Sequence, residues 1–227
     1  MPESFHDQDL TGADFANADL VAATFEGCTL TGASFRHADL TDVLFVGCRA
    51  FPTDTPAEDG VEPVDFSYAT LTEARFERCD LTTALFCNAS AYDLSLDQCQ
   101  IQGADFSSCD FSLPIRGAAT LAGFRMTDCN FAFGDLSNTY LKDCVLTGNR
   151  MIDVLAHNCT LSGADLSGSD LNGLTGQGLD LSGADLRGAS FNTLDPRQVN
   201  LAGVRMGLAQ GLAILDQLEI VIDPDAD

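Results

Sequence analysis

A large aliphatic or phenyl side chain recurs at every fifth residue near the start of the chain, and this period restricts the fold more than any other feature. The positions are Phe5, Leu10, Phe15, Leu20, Phe25, Leu30, Phe35, Leu40 and Phe45. A small residue, most often Ala, stands two places before most of them, and Asp, Asn, Ser or Thr usually stands one place before. An α-helix needs apolar residues about every 3.6 positions, and a half-buried strand needs them at every second position. The period therefore excludes both elements and indicates a solenoid.

In a solenoid, each coil buries its inward side chains against the coils above and below it. We predict that the chain bends after each five-residue unit, so that four units close a square coil of about 20 residues. The large residue and the small residue two places before it point inward, and the other three positions face water. Neighbouring coils should stack at ~4.8 Å, the spacing of adjacent strands. The sequence thus predicts an all-β, four-sided (quadrilateral) β-helix.

Two segments interrupt the repeat, and both are predicted to be projecting loops. Phe51–Pro63 contains three prolines, one glycine and four acidic residues, and the repeat resumes after it one residue out of step. Ser112–Gly123 places a proline and an arginine where inward residues should be, and the repeat then continues in phase. Either the coil continues irregularly or a multiple of five residues is looped out, and the proline and arginine favour the loop. Three weak positions, Ala156, Gly176 and Pro196, are predicted to be local bulges.

The repeat continues to Met206, so we predict one elongated domain over residues 1–206 and a tail over residues 207–227. Apolar residues with helical spacing predict a short amphipathic helix over 208–218, and Glu219–Asp223 predicts a short strand. The tail either caps the last coil or joins two rods end to end as a homodimer, and its several apolar sides favour the dimer. The candidate dimerisation residues are Leu208, Leu212, Leu215, Leu218, Ile220 and Ile222.

The chain is strongly acidic, with 34 Asp and Glu against 11 Lys and Arg and a net charge of −23. This charge argues against binding to nucleic acid or anionic membranes and favours a basic partner. Roughly nine coils would form a rod of ~43 Å, and B-DNA of that length carries about 25 phosphate charges. The similar charge density suggests DNA mimicry. The alternative is a solvated surface, because Asp is a common outward residue of the repeat.

Eight of the nine cysteines occupy the small inward position, and only Cys87 does not. We predict free thiols that act as small apolar core residues. Together with the lack of a signal-peptide pattern or a long apolar run, they indicate a cytoplasmic protein. The sequence has no Cys/His pattern with zinc spacing, no nucleophile motif and no phosphate-binding loop, and His37 and His157 occupy outward positions. We therefore expect no metal, no cofactor and no catalysis.

The repeat, which covers most of the chain, resembles the pentapeptide-repeat proteins. More narrowly, Asp65–Ala69 after the first loop and Leu194–Arg197 with Val199–Leu201 near the end resemble the Qnr quinolone-resistance proteins, as do the two loops and the tail. The resemblance implies a right-handed β-helix that dimerises through its C-terminal tail, and an acidic rod that imitates duplex DNA. It also implies binding to DNA gyrase and topoisomerase IV, and protection of these enzymes from fluoroquinolones.

The resemblance further implies that the two loops contact the topoisomerase. The candidate contact residues are Phe51, Asp54, Glu58, Asp59 and Glu62 in the first loop, and Leu113, Ile115 and Arg116 in the second. Two other interpretations stay open. In one, the protein is an immunity or regulatory factor against a different gyrase poison, such as a peptide toxin. In the other, it is a structural protein-interaction module without a topoisomerase partner.

Overall fold

Residues twenty positions apart pair with each other along the chain, which shows that four five-residue units close one coil. Asp9 pairs with Thr29 and Asp14 with Ser34, both in parallel. In this computed structural model, which describes residues 2–50, 62–115, 120–192 and 194–220, the chain is a right-handed quadrilateral β-helix with a C-terminal helix. The predicted four-sided coil is confirmed. We number the faces of the rod in chain order, so that face 1 begins at Phe5, face 2 at Leu10, face 3 at Phe15 and face 4 at Leu20.

The described chain contains eight short strands, six of which form one side of the rod. The strands are β1 (Ser4–His6), β2 (Thr24–Glu26), β3 (Leu44–Val46), β4 (Arg75–Glu77), β5 (Leu94–Asp97), β6 (Ser112–Leu113), β7 (Leu121–Ala122) and β8 (Phe124–Thr127). Six of them form a sheet on face 1 in the order β1-β2-β3-β4-β5-β8, and β6 and β7 form an antiparallel hairpin. The other three faces are joined by isolated parallel bridges. Each coil therefore needs only one or a few paired residues per side.

Phenylalanine rings stack in two columns through the first half of the core. On face 1 the ring centroids of Phe25 and Phe45 lie 4.6 Å apart with planes 11° apart. On face 3 the rings of Phe15 and Phe35 stack in the same way, with centroids 4.9 Å apart. Rings of the two columns meet edge to face, as Phe25 and Phe35 do at 87°. Both arrangements are favourable for aromatic pairs, so the repeat places its bulkiest residues where their contacts reinforce the coil spacing.

The aspartate before the large inward residue stabilises the bend that follows it. Asp105 accepts the backbone N–H of Ser107 through Oδ1 at 2.8 Å, which is an Asx turn. Asn200 makes the same type of bond to the next bend, at 3.2 Å. The second residue of each bend has a positive φ, for example 62° at Gly32 and 60° at Asn138, and Gly and Asn tolerate this region best. The fold itself therefore accounts for much of the Asp content.

Each predicted interruption lengthens one coil and leaves the stacking of the coils intact. Across the first loop, Phe45 pairs with Phe76, thirty-one positions later instead of twenty. Across the second loop, Leu96 pairs with Met126, thirty positions later. The insertions of eleven and ten residues confirm the predicted phase shift in the first case and the preserved phase in the second. The first loop leaves the rod at the corner between faces 2 and 3, and the second leaves at the diagonally opposite corner, between faces 4 and 1.

Eight cysteines are buried, Cys87 is half-buried, and all nine are free. Five of them form a column inside face 2, in which the N–H of Cys99 donates to Sγ of Cys129 at 3.3 Å. The thiol of Cys48 donates to the carbonyl of Phe25 at 3.3 Å. Burial raises the pKa of Cys159 to about 12, so this thiol stays uncharged at neutral pH. The predicted role as apolar core residues is confirmed.

The predicted tail helix is present as α1 (Leu208–Gln217). It lies against the last coils, because Nε2 of Gln210 donates to the carbonyls of Leu186 and Ala189, both at 2.6 Å. The predicted strand is wrong at Glu219 and Ile220. Their N–H groups instead close the end of α1, on Asp216 and Leu215, and Glu219 has a φ of 60°. Such a left-handed residue commonly ends a helix. The rest of the predicted strand, residues 221–223, lies outside the described residues.

Candidate protein-interaction surface

Charged side chains are distributed unequally over the four faces. Five arginines stand one place before the central inward residue of a repeat, and all of them lie on face 1 (Arg75, Arg125, Arg205) or face 2 (Arg49, Arg150). Across the bridged positions of the described chain, faces 3 and 4 carry no Lys or Arg at this place. They carry eight aspartates instead: Asp14, Asp65, Asp105 and Asp135 on face 3, and Asp19, Asp39, Asp110 and Asp180 on face 4. We call these two adjacent faces the acidic surface.

Most carboxylates of the acidic surface are not neutralised by a cation. Asp65 pairs with Arg36 at 2.8 Å. Burial raises the pKa of Asp65, but hydrogen bonds from Arg36 and Ser67 outweigh burial and hold that pKa below its usual value. Within the described ranges, the other seven aspartates of this surface take part in no ion pair. Their negative charges therefore add up over the length of the rod and attract a basic partner.

An aromatic pair interrupts the acidic surface at the corner between faces 3 and 4. The rings of His37 and Tyr68 stack with centroids 5.1 Å apart, and the guanidinium carbon of Arg36 lies 5.3 Å from the centre of the Tyr68 ring. His37 is exposed, as predicted. It also contacts a neighbouring coil, which the sequence analysis did not foresee. His157 is exposed too, and its Nδ1 accepts the N–H of Gln177 at 3.0 Å.

The two loops leave the rod at the two outer edges of the acidic surface. The corner between faces 2 and 3, where the first loop emerges, borders face 3. The corner between faces 4 and 1, where the second loop emerges, borders face 4. The bases of the two loops therefore lie at opposite edges of the acidic surface.

The structure describes three of the eight predicted loop contacts. Glu62 is exposed at the base of the first loop. In the second loop, Leu113 pairs with Leu121 in the β6–β7 hairpin, which the sequence analysis did not predict. Leu113 and Ile115 are exposed by 43% and 42%, so their side chains are available to a partner. The other five predicted contacts, Phe51, Asp54, Glu58, Asp59 and Arg116, lie outside the described residues.

Face 3 is indented towards the C-terminal end of the rod. The bulges predicted at Ala156 and Gly176 are wrong, because Leu155 and Thr175 pair regularly. A side chain at Gly176 would place its Cβ 2.2 Å from the carbonyl oxygen of Ala156, so only a residue without a Cβ fits there. At Pro196 the chain leaves the regular repeat in a turn that the N–H of Gln198 closes on Asp195. The indentation is a half-open groove of about 690 Å³ at the end of the acidic surface.

Comparison with protein-family models identifies the repeat. The model for pentapeptide repeats matches residues 9–46, 65–99, 118–154 and 157–192, in eight copies. These matches cover more than half of the chain, and the interval between the first two contains the first loop. The chain belongs to the pentapeptide-repeat family.

Solved structures of QnrB1, a plasmid-mediated fluoroquinolone resistance protein, are similar to this pentapeptide-repeat protein over nearly its whole length. Full-length QnrB1 is 28% identical with a TM-score of 0.86, and the similarity covers 96% of this chain and 100% of QnrB1. A trypsin-treated variant of QnrB1 is 27% identical with a TM-score of 0.82, and the coverage is 97% and 99%. No curated protein matches the sequence. The predicted resemblance to Qnr proteins is confirmed.

The tail of the pentapeptide-repeat rod has an exposed apolar side. Leu208, Leu212 and Ile220 are exposed by 82%, 43% and 47%. Leu215 and Leu218 are half-buried, and Ile222 lies outside the described residues. Ile214, which the sequence analysis did not select, packs against the core. The helix therefore covers the last coil with one side and leaves apolar surface on the other.

In the part of the chain that the structure describes, no group of three or more His, Cys, Asp and Glu side chains is arranged to hold a metal ion. Over the same residues, no helix is both long enough and apolar enough to cross a membrane.

Proposed function

We propose that this protein is a DNA mimic that binds DNA gyrase and topoisomerase IV and protects them from fluoroquinolones. The observation that carries the proposal is the acidic surface, on which eight aspartates face outward over two adjacent faces without an interspersed cation at the same positions. The structural similarity to QnrB1, which is a fluoroquinolone resistance protein, supports the class of function.

The length and charge of the rod fit a surface that normally binds duplex DNA. About nine coils at the strand spacing give a rod of ~43 Å, and B-DNA of this length carries about 25 phosphate charges. An enzyme that binds DNA presents a basic groove to these phosphates, and such a groove attracts an acidic rod through the same long-range field. Charge therefore brings the rod and the enzyme together.

The loops supply the contacts that charge alone does not provide. Because they leave from opposite edges of the acidic surface, the enzyme that binds this surface lies between them. The exposed side chains of Glu62, Leu113 and Ile115 are then placed to contact it. We propose that these loop contacts destabilise the drug-trapped cleavage complex, while the acidic surface provides most of the affinity. We assign the protein no catalytic role, because the aspartates of its acidic surface face solvent and take part in Asx turns.

We further propose that residues 207–227 form a dimerisation unit separate from the rod of residues 1–206. The exposed side chains of Leu208, Leu212 and Ile220 support this role, because an apolar helix surface is expected to be covered by a second copy. The homodimer would join two rods end to end. We also propose that the protein acts in the cytoplasm, where its free buried thiols stay reduced.

Binding to purified gyrase at two ionic strengths tests the proposal. We expect binding at low salt that weakens strongly as the salt concentration rises, because exposed charges are screened. A protein that does not bind gyrase at low salt would contradict the proposal and favour a structural module with another partner. A panel of gyrase poisons in one supercoiling assay then separates protection against fluoroquinolones from immunity to a peptide toxin.

A further inference from the structure

Phe133 is an exposed aromatic residue in an unfavourable backbone conformation. It is exposed by 64%, the highest value among the phenylalanines that the structure describes. Its φ is 62°, a region that bulky L-residues rarely adopt. The residues at the same corner in neighbouring coils are Gly103 before it and Asp153 and then Gly173 after it, types that suit this conformation. The fold therefore does not require Phe at this position.

Two apolar side chains of the next coil lie beside Phe133. The N–H of Phe133 donates to the carbonyl of Ile152 at 2.8 Å, and the N–H of Leu155 donates to the carbonyl of Gly134 at 3.0 Å. Leu155 is exposed by 42% and Ile152 is half-buried. We call Phe133, Ile152 and Leu155 the apolar patch. On a rod whose outward positions are mainly polar, three neighbouring apolar residues at one corner suggest an interaction site.

The apolar patch borders the acidic surface. It lies at the corner between faces 2 and 3, the same corner from which the first loop leaves. Three coils separate the two features, which corresponds to about 14 Å. Asp135 pairs directly with Leu155, and Asp153 follows Phe133 at the corner. The patch is therefore flanked by carboxylates that are not paired with a cation in the described structure.

We propose that Phe133 is an anchor that inserts into an apolar pocket on a basic protein surface. The flanking carboxylates select the partner, because they complement basic residues at the rim of such a pocket. This inference rests on the proposed function, in which the basic partner is gyrase. Duplex DNA has no exposed aromatic side chain on its outer surface. The anchor therefore fixes the position of the enzyme along the rod. Evenly spaced charges alone do not fix this position.

The substitution Phe133→Asn separates this role from a structural one. Asn tolerates a positive φ, and it keeps the N–H that donates to Ile152. We expect the melting temperature to stay unchanged or to rise by about 2–4 °C. Thr83→Asn is the matched control, because Thr83 lies at the same corner with a φ of 60° and carries no aromatic ring.

Binding of the wild-type protein and both variants to purified gyrase, at low and at high salt, tests the anchor. We expect Phe133→Asn to weaken binding by about 10–100-fold at both ionic strengths, because an apolar contact is not screened by salt. Thr83→Asn should bind within about twofold of wild type. Unchanged binding of Phe133→Asn, or a melting temperature lowered by several degrees, would overturn the anchor and leave the proposed function standing. A wild-type protein that does not bind gyrase would overturn the proposed function and the anchor with it.

Discussion

The N–H of Gly123 donates to the carbonyl of Phe111 at 2.9 Å and closes the second loop at its base. The coil therefore continues from Phe111 to β8 as if the intervening residues were absent. The paired residues on either side, Leu94 and Phe124, are thirty positions apart instead of twenty. The rod and the loop are thus separable parts of the molecule, and so are the properties that depend on each.

Removal of Leu113–Ala122 should leave the rod folded and abolish protection. The deletion takes out ten residues and joins Ser112 to Gly123, which restores the Ser-Gly bend that Ser162 and Gly163 form at the same corner two coils later. We expect a melting temperature within about 3 °C of wild type, because none of the described residues that are removed is fully buried. We expect little recovery of supercoiling by gyrase in the presence of ciprofloxacin. Full recovery with the loopless rod would show that the second loop has no role in protection.

Removal of charge from the acidic surface should weaken gyrase binding more than the same change elsewhere. The triple variant Asp105→Asn, Asp110→Asn and Asp135→Asn keeps the Asx turns, because an Asn side-chain oxygen makes the same bond, as Asn200 does. We expect binding at low salt to fall by about tenfold or more and the dependence on salt to become less steep.

The control for this experiment is the triple variant Asp80→Asn, Asp165→Asn and Asp170→Asn, on faces 1 and 2. It changes the net charge by the same amount and also keeps its Asx turns, so a general effect of net charge would weaken both variants equally. Equal losses would show that the enzyme does not distinguish the faces of the rod, which would argue against the acidic surface as the site.

Asp185 should make the stability of the rod depend on pH in the acid range. It is buried, and it accepts hydrogen bonds from Arg187 and Arg205. The bond from Arg187 holds the pKa of Asp185 far below its usual value, against the effect of burial, and Arg205 adds to this. Because the folded-state pKa is depressed, the stabilisation is fully present above the unfolded pKa of about 3.9 and is lost as the pH falls below it.

We therefore expect Asp185→Asn to lower the free energy of unfolding at pH 7 by about 1–3 kcal/mol. The difference from wild type should shrink as the pH falls below about 4. Urea unfolding at pH 7 and at successively lower pH values measures both effects. A difference that stays constant down to the lowest pH at which the protein folds would show that the charge of Asp185 is not the cause.

The tail helix should hold two copies together. The variant Leu208→Asp with Leu212→Asp places two charges on the exposed side of α1 and leaves Ile214 against the core. We expect sedimentation velocity to show a dimer for the wild-type protein and a monomer for this variant, since a buried unpaired charge opposes association. Val21→Asp is the control, because Val21 is also exposed, by 44%, at the other end of the rod. A monomeric wild-type protein would contradict the proposed dimer and show that α1 only caps the last coil.

The five-residue period predicts the coil well, because each inward residue can be assigned to its position in the repeat from the sequence alone. For the same reason, the phase across each interruption predicts the length of the insertion to within a multiple of five residues. The unequal distribution of charge over the faces could also be predicted from the sequence. Counting in coils of twenty residues, with the insertions removed, assigns Arg75, Arg125 and Arg150 to faces 1 and 2. The strand predicted to begin at Glu219 is wrong there because the N–H groups of Glu219 and Ile220 close the end of α1. The positive φ of Phe133 could not be predicted from the sequence, because the repeat specifies that this position faces outward but not which residue occupies it.

Supercoiling of relaxed plasmid by purified gyrase, with an inhibitory concentration of ciprofloxacin and increasing amounts of this protein, tests the central claim most directly. The proposal predicts that supercoiling returns towards its drug-free level as the protein is added, and that the second-loop deletion does not restore it. Supercoiling that stays fully inhibited at every concentration of a folded protein, or that falls further, would contradict protection of gyrase from fluoroquinolones.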